Sequence, residues 1–339
     1  MIITKFNNMN VEVNKQYELI LAIHAVYLLK HPELRDKFDF IETPNINYMH
    51  DLEKLIPIEK YPEMIKYITN FGDCSLPILF AVGMDDFYQV DDRKLRRDFI
   101  CDYMKYGTIE GFVIELKKLA FDIHWDQFFE TYLPFYQELV EKYCKFPDDL
   151  DLSDIQKFYS TQPKSYTFIP SVLMNGGFGP EDQEGNLYYN RGLRYNEEKQ
   201  VFDVDREYLV ECLFHEFSHP IVNSYVDKYL ANSEVLDEFY QQALCHNLFD
   251  QYRNKKETVM YEYLVRANAY LLTKKYFKDT IPAIEDDWVI PHGFTYLPDL
   301  VSFTETHLGY YPNYEEFVKR GIPIFMKSCI ECSKEKGIS

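Results

Sequence analysis

Apolar residues recur at three- and four-residue intervals across residues 16–30, 51–71, 93–121 and 126–144, the period of helices with one buried face, and Gly72 and Gly107 break the pattern. Ahead of these, Ile2–Phe6 and Met9–Val13 read as two short strands that form a hairpin or join a distant sheet. Between residues 164 and 204 the period changes. Segments 166–169, 172–174 and 186–189 predict strands around Gly176-Gly177-Phe178-Gly179, and Asp182-Gln183-Glu184-Gly185 predicts a turn. The helical period then returns, with Asp205 as an N-cap and Leu209, Cys212 and Leu213 as an apolar stripe. Pro220 lacks a backbone donor and crowds the carbonyl four residues back, which predicts an end or a kink there. Residues 258–272 are apolar nearly all round, as in a buried helix. The class is α+β, mainly helical, and the acidic, proline-bearing stretch 146–154 divides the chain into 1–150, a helical lobe with a short N-terminal strand pair, and 151–339.

The returning helix carries the chemistry. His215-Glu216-Phe217-Ser218-His219 sets two imidazoles four residues apart with a glutamate directly after the first, the H-E-x-x-H pattern of zinc hydrolases. At 3.6 residues per turn His215 and His219 stand on one helix face and can close on a single cation. Glu216 lies roughly 100° around the helix, placed to take a proton from water at the metal without filling a coordination position.

A catalytic zinc usually has three protein ligands and one open position. Glu238 follows His219 by nineteen residues and Glu262 by forty-three. Glu262 lies in the all-apolar helix, where a carboxylate needs a partner, and Arg266 one turn on can hold one side of it while the other meets a metal. Glu238 instead falls among acidic residues behind Ser233, the start of a solvated helix. A histidine or aspartate elsewhere is the remaining alternative.

The run 215–219, with Asn223, Val226-Asp227-Lys228-Tyr229 and Glu262-Tyr263-Leu264-Val265-Arg266-Ala267, resembles an uncharacterised bacterial family of gluzincin-like metallopeptidases that is known as a domain of unknown function. The opening Val13-Asn14-Lys15-Gln16-Tyr17-Glu18-Leu19-Ile20 resembles that family's start, which extends the resemblance over most of the chain. It implies a zincin-like metallopeptidase domain over 151–339, one zinc held by His215, His219 and Glu262, Glu216 as base, and no established substrate. Ser224 stands where the family has a proline, a departure that touches local geometry. The chain also lacks the secretory leader of many relatives, which leaves the compartment open.

Composition narrows the rest. Hydrophobic residues make up 46% and charged residues 27% of 339 positions, enough for a sizeable core, and 29 tyrosines with 26 phenylalanines supply large buried areas. A net charge of -19 argues against nucleic acid or an anionic membrane as partner, since phosphate binding rests on clustered Lys and Arg. The basic run at 93–97 is hemmed by Asp91, Asp92 and Asp98 and reads as a solvated helix start. The first residues lack a basic start and apolar core, and 19–29 is too short to span a bilayer, which predicts a cytoplasmic protein. Seven scattered cysteines fit reduced thiols, and the lone C-x-x-C at Cys329 and Cys332 fits a coincidence on a terminal helix. His24, His31, His50 and His124 have no ligand spacing to one another and read as packing or surface residues.

The expected activity is zinc-dependent hydrolysis of a peptide or protein substrate, with Glu216 moving the proton and a further donor facing the oxyanion. His292, His307 and a tyrosine near Glu262 are the candidates for that donor, and no spacing singles one out. Strands ahead of the metal helix suit a zincin, where an edge strand pairs with extended substrate, and the double glycine allows close backbone approach or simply closes a hairpin loop. A phosphate loop is excluded because no basic residue accompanies the glycines. The alternatives are a non-catalytic zinc-binding or interaction module, with His246 or a nearby cysteine as fourth ligand, and a helical scaffold without metal.

Overall fold

The computed structural model describes residues 2–203, 205–245, 248, 255–277 and 289–335. These form two compact units, one of Met1–Phe146 with Pro163–Asp205, the other of Pro147–Gln162 with Arg206–Ser339. The chain leaves the first unit beside the acidic stretch read as a boundary, but residues 163–205 return to it and fold with the N-terminal residues.

Strand pairing explains the return. β1 (Ile2–Phe6) and β2 (Met9–Val13) make an antiparallel hairpin, and β2 then pairs parallel with β3 (Ser165–Ser171), setting Met9 opposite Tyr166 and Val11 opposite Phe168. The expected hairpin and the expected distant pairing both occur. β5 (Asn186–Gly192) lies parallel to β3 along its whole length, and the two-residue β4 (Gly177–Phe178) closes the far edge, giving the order β1-β2-β3-β5-β4. β6 (Arg194–Asn196) and β7 (Val201–Asp203) form a separate hairpin. Segment 172–174 is not a strand, and Met174 makes only an isolated bridge to Ile41. At the double glycine, a Cβ on Gly177 would stand 2.7 Å from the Tyr189 ring. The space left by that missing side chain is filled by Tyr189.

α1 (Lys15–Lys30) is the central helix of this unit. Asn14 caps it by accepting from the Tyr17 amide, and Leu19, Ile20, Leu21, Ala22 and Ile23 are fully buried. The period read over 51–71 is broken into α2 (Asn47–Leu55) and α3 (Pro62–Thr69), because Pro57 and Pro62 each hold the residue before them out of the helical region. α4 (Leu76–Val82) is buried at every position and has no polar face to announce it. α5 (Arg97–Tyr103) and α6 (Ile109–Asp122) are separated around Gly107, whose φ of +70° suits glycine. α7 (Trp125–Tyr143) follows, close to the expected span. His24 is buried among Phe38, Phe40 and Phe71, and burial pulls it down to about 4.

Glu18 on α1 is buried, with the hydroxyls of Tyr48 and Tyr136 each 3.2 Å from its Oε2. Burial raises its pKa from 4.5 to about 7, against the lowering effect of hydrogen bonds from Ser171, Tyr136 and Tyr48. The folded chain therefore holds this proton over a range where the unfolded chain has released it, so stability falls as pH rises from 4.5 through about 7. Relative to Glu18→Gln, the native protein should lose roughly 3 kcal/mol across that window. Urea unfolding of both proteins at several pH values measures this, and parallel stability curves would refute it.

The second unit is helical. It comprises α8 (Ser153–Tyr159), α9 (Arg206–Tyr229), α10 (Glu234–Leu244), α11 (Lys256–Thr273), α12 (Ile290–His292), α13 (Leu297–His307), α14 (Tyr314–Glu316) and α15 (Ile322–Glu335). α9 packs along α11, α13 on α11 and α15 on α10. α9 runs on through Pro220 to Tyr229 and does not end there. Residues beyond the proline, Ile221, Val222 and Val226, are buried, and this packing outweighs the ~3 kcal/mol a helix-interior proline costs. Asp154 ties α8 to the end of α11, accepting from Lys275 and from the Tyr276 hydroxyl at 2.5 Å each. Among the described residues no helix is long and apolar enough to cross a membrane.

Candidate metal centre

Four side chains of the second unit converge. His215 and His219, one turn apart on α9, bring their Nε2 atoms to 3.0 Å, with the rings at 82°. Glu262 reaches across from α11, its Oε2 3.8 Å from His215 Nε2 and its Oε1 3.6 Å from His219 Nε2. Glu216 Oε1 lies 4.0 Å from His215 Nε2. These side chains are 13–18% exposed, so the cluster is recessed but open to solvent. His215, His219 and Glu262 form the one group among the described residues whose donor atoms could hold a metal ion.

The local sequence explains the convergence. A four-residue spacing stacks the two imidazoles, while Leu213, Phe214, Phe217 and Ser218 face the packed interior and leave His215, Glu216 and His219 on the opposite side. Ser218 is fully buried and donates to the Phe214 carbonyl at 2.6 Å, which satisfies its hydroxyl within the helix. Four residues after His219, Asn223 presents Oδ1 3.3 Å from Nδ1 of that ring. An amide oxygen accepts, so Nδ1 carries the proton and Nε2 turns a lone pair to the cluster.

Electrostatics favours neutral imidazoles. Burial first, then the charges of Arg266 and His219, hold His215 well below its usual value. Burial also lowers His219, against the raising influence of Glu262 and Asn223. Both rings are thus unprotonated at neutral pH, as ligation requires. Zinc bonds of about 2.0–2.1 Å at tetrahedral angles separate ligand atoms by ~3.3 Å. The nitrogens stand 3.0 Å apart, and the carboxylate lies 3.6 Å from one of them through Oε1 and 3.8 Å from the other through Oε2, so two nitrogens and a carboxylate suit an ion of this size.

A sequence model of the family described as "Domain of unknown function (DUF4932)" matches residues 9–319. The chain belongs to that family. The match spans the centre and most of both units, and the family's description assigns it no activity. No curated protein and no solved structure matches the chain.

Around the DUF4932 centre, the partner expected for Glu262 is in place. Arg266 Nη2 is 2.6 Å from Glu262 Oε2, and the guanidinium lies 5.2 Å from the centroid of the buried Phe294 ring. The ion pair leaves Oε1 to face His219. Glu238 stands elsewhere, 60% exposed on α10 and 3.5 Å from Lys334. Its helix begins as expected, with Ser233 accepting from the Leu236 amide.

Of the two histidines considered as extra donors, His292 is half-buried at the end of α12, where burial and the charge of Arg266 lower its pKa. His307 is engaged at the end of α13, stacked at 4.2 Å on Phe303 and 2.7 Å from the Thr306 hydroxyl. His246 lies outside the described residues, while Cys245 is exposed. Two contributors carried no assigned role in the sequence. Asn223 was open to detection, since it sits four residues past a ligand-type histidine on the same face. Phe294 was not, because nothing in its neighbourhood points to a guanidinium on another helix.

Proposed function

We propose that this chain is a zinc-dependent peptide hydrolase whose zinc is held by His215, His219 and Glu262. The observation that carries the reading is the meeting of two unprotonated Nε2 atoms and one recessed carboxylate beside Glu216. Bound there, zinc supplies Lewis acidity toward the scissile carbonyl and makes water acidic enough to be used at neutral pH. Glu216 would act as the base, accepting a proton at its carboxylate and passing it to the leaving amine. Asn223 fixes the tautomer of His219, and Arg266 fixes the orientation of Glu262. Of the two histidines considered for the oxyanion, His292 is the one in the field of Arg266. The pairing of α9 with α11, one bearing both histidines and the base, the other the third ligand, supports a zincin-like core for the second unit.

Elemental mass spectrometry on protein prepared without added metal, followed by a peptide-library cleavage screen, tests the reading. About one zinc per chain and cleavage blocked by chelators are expected. Absence of zinc after dialysis against it would leave the cluster as a helix-to-helix polar contact.

Arg266→Met removes the guanidinium without removing a ligand. Loss of the group that orients a ligating carboxylate typically costs 10–100-fold in metal affinity, and roughly that loss is expected here in competition with a chelator. Unchanged affinity would make the Arg266 ion pair structural only.

A further inference from the structure

Segment Pro147–Gln162 leaves the first unit, folds with the second and returns, and its contacts end on the metal-bearing helix. In α9 the residues just ahead of the two histidines, Phe214 and Ser218, are fully buried on the face turned away from the centre. Each of them meets a tyrosine.

The ring of Phe214 is stacked on Tyr276 at 5.8 Å and 23°. The Tyr276 hydroxyl donates to Asp154 Oδ2 at 2.5 Å and accepts from the Asp151 amide at 3.1 Å, so the segment engages both of its hydrogen-bonding sides. Asp154 is itself held. Its side chain is 10% exposed, with Lys275 Nζ at 2.5 Å and Lys157 Nζ at 3.4 Å. One turn beyond Phe214, Ser218 answers to Tyr159, the last residue of α8. Hydrogen bonding to Ser218 and to Asn268 works against the burial that raises the pKa of the Tyr159 hydroxyl. That hydroxyl has no hydrogen bond of full geometry, so its hold on both helices depends on where α8 stands. Asn268 lies on α11 and donates to the Tyr314 hydroxyl at 2.6 Å, and the Tyr314 ring meets that of Tyr159 edge-on at 4.7 Å.

The tolerance of a metal site gives these contacts their weight. A side chain reaches roughly 5–6 Å from its helix axis, so turning α9 by about 10° moves an imidazole nitrogen by about 1 Å. Zinc ligands keep their distances within about 0.2 Å. The four-residue spacing fixes the histidines relative to each other, but nothing within α9 fixes its rotation toward Glu262 on α11. Phe214 and Ser218 can set that rotation from the opposite face.

We infer that Asp154 and Tyr159 are positioning residues of the metal centre. Asp154 acts through Tyr276 and Phe214, Tyr159 acts through Ser218 and Asn268, and together they fix the rotation of α9 against α11. The inference rests on the zinc reading. Its competitor is plain packing by α8, under which any loosening of that helix would act alike.

Cobalt(II) chloride titrated into the metal-free, full-length chain separates the two, since the visible absorption of bound cobalt follows ligand geometry whereas thermal unfolding follows packing. Asp154→Asn and Tyr159→Phe should each shift the cobalt spectrum and weaken cobalt about two- to tenfold, the worth of one hydrogen bond. Tyr276→Phe keeps the ring against Phe214 and removes only the hydroxyl, so it should reproduce Asp154→Asn. Ile155→Val, fully buried on the same helix, costs stability on the same scale and should leave spectrum and affinity unchanged. Equal effects of Ile155→Val, or unchanged spectra in the other three variants, overturn the inference while the zinc reading stands. A parent chain that takes up neither cobalt nor zinc overturns the zinc reading, and the inference falls with it.

Discussion

Glu216→Gln should keep its zinc and lose at least about 100-fold in peptide hydrolysis, the lower end of what a positioned general base contributes. Its side chain is 14% exposed and its Oε1 stands 4.0 Å from His215 Nε2, beyond a direct contact, while the ligating face of α9 is complete without it. Glutamine preserves size and hydrogen bonding but cannot accept the proton, so the change isolates proton transfer from metal binding. Zinc content and turnover of a cleaved library peptide are the two readouts. Loss of zinc together with activity would mean that Glu216 coordinates, and retained activity would assign the base elsewhere.

Glu262→Ala should show the largest loss of metal. Apparent zinc affinities of about 10–16 kcal/mol in small structural sites, shared over the ligands, give roughly 3–4 kcal/mol each, or about 10²–10³-fold per ligand. In addition, alanine would leave the guanidinium of Arg266 buried over Phe294 without its anion, so some loss of thermal stability should accompany the loss of metal. Glu238→Ala should lose neither, since Glu238 is 60% exposed and at most 3.5 Å from a surface lysine. Zinc binding by competition with a chromogenic chelator ranks the two proteins, and the reverse order would move the third ligand to Glu238.

The different surroundings of Glu262 and Glu238 illustrate what a sequence can carry. Periodicity separated a helix with no polar face, where a carboxylate must find a partner, from one with an acidic capped start that water satisfies. Arg266 was legible for the same reason, being one turn away. Boundaries governed by competing forces were less legible. Pro220 argued for an end to α9, yet buried residues on both sides hold the helix together, and Pro57 with Pro62 divided a stretch whose apolar period ran on unbroken. α4 had no alternation to betray it, since all its residues are buried.

The sequence by itself determined the mainly helical class, the face shared by His215 and His219, and the chemistry of the residues able to stand near a metal. These follow from spacing along one element and from the cost of burying a charge, both of which are local. Tertiary structure decided that Glu262 meets those histidines, that Phe294 supports Arg266, and that 163–205 folds with the N-terminal residues through parallel pairing of β2 with β3. Each of these joins residues tens to more than a hundred positions apart, and such pairings are selected by the packing of the whole chain, which no local period records.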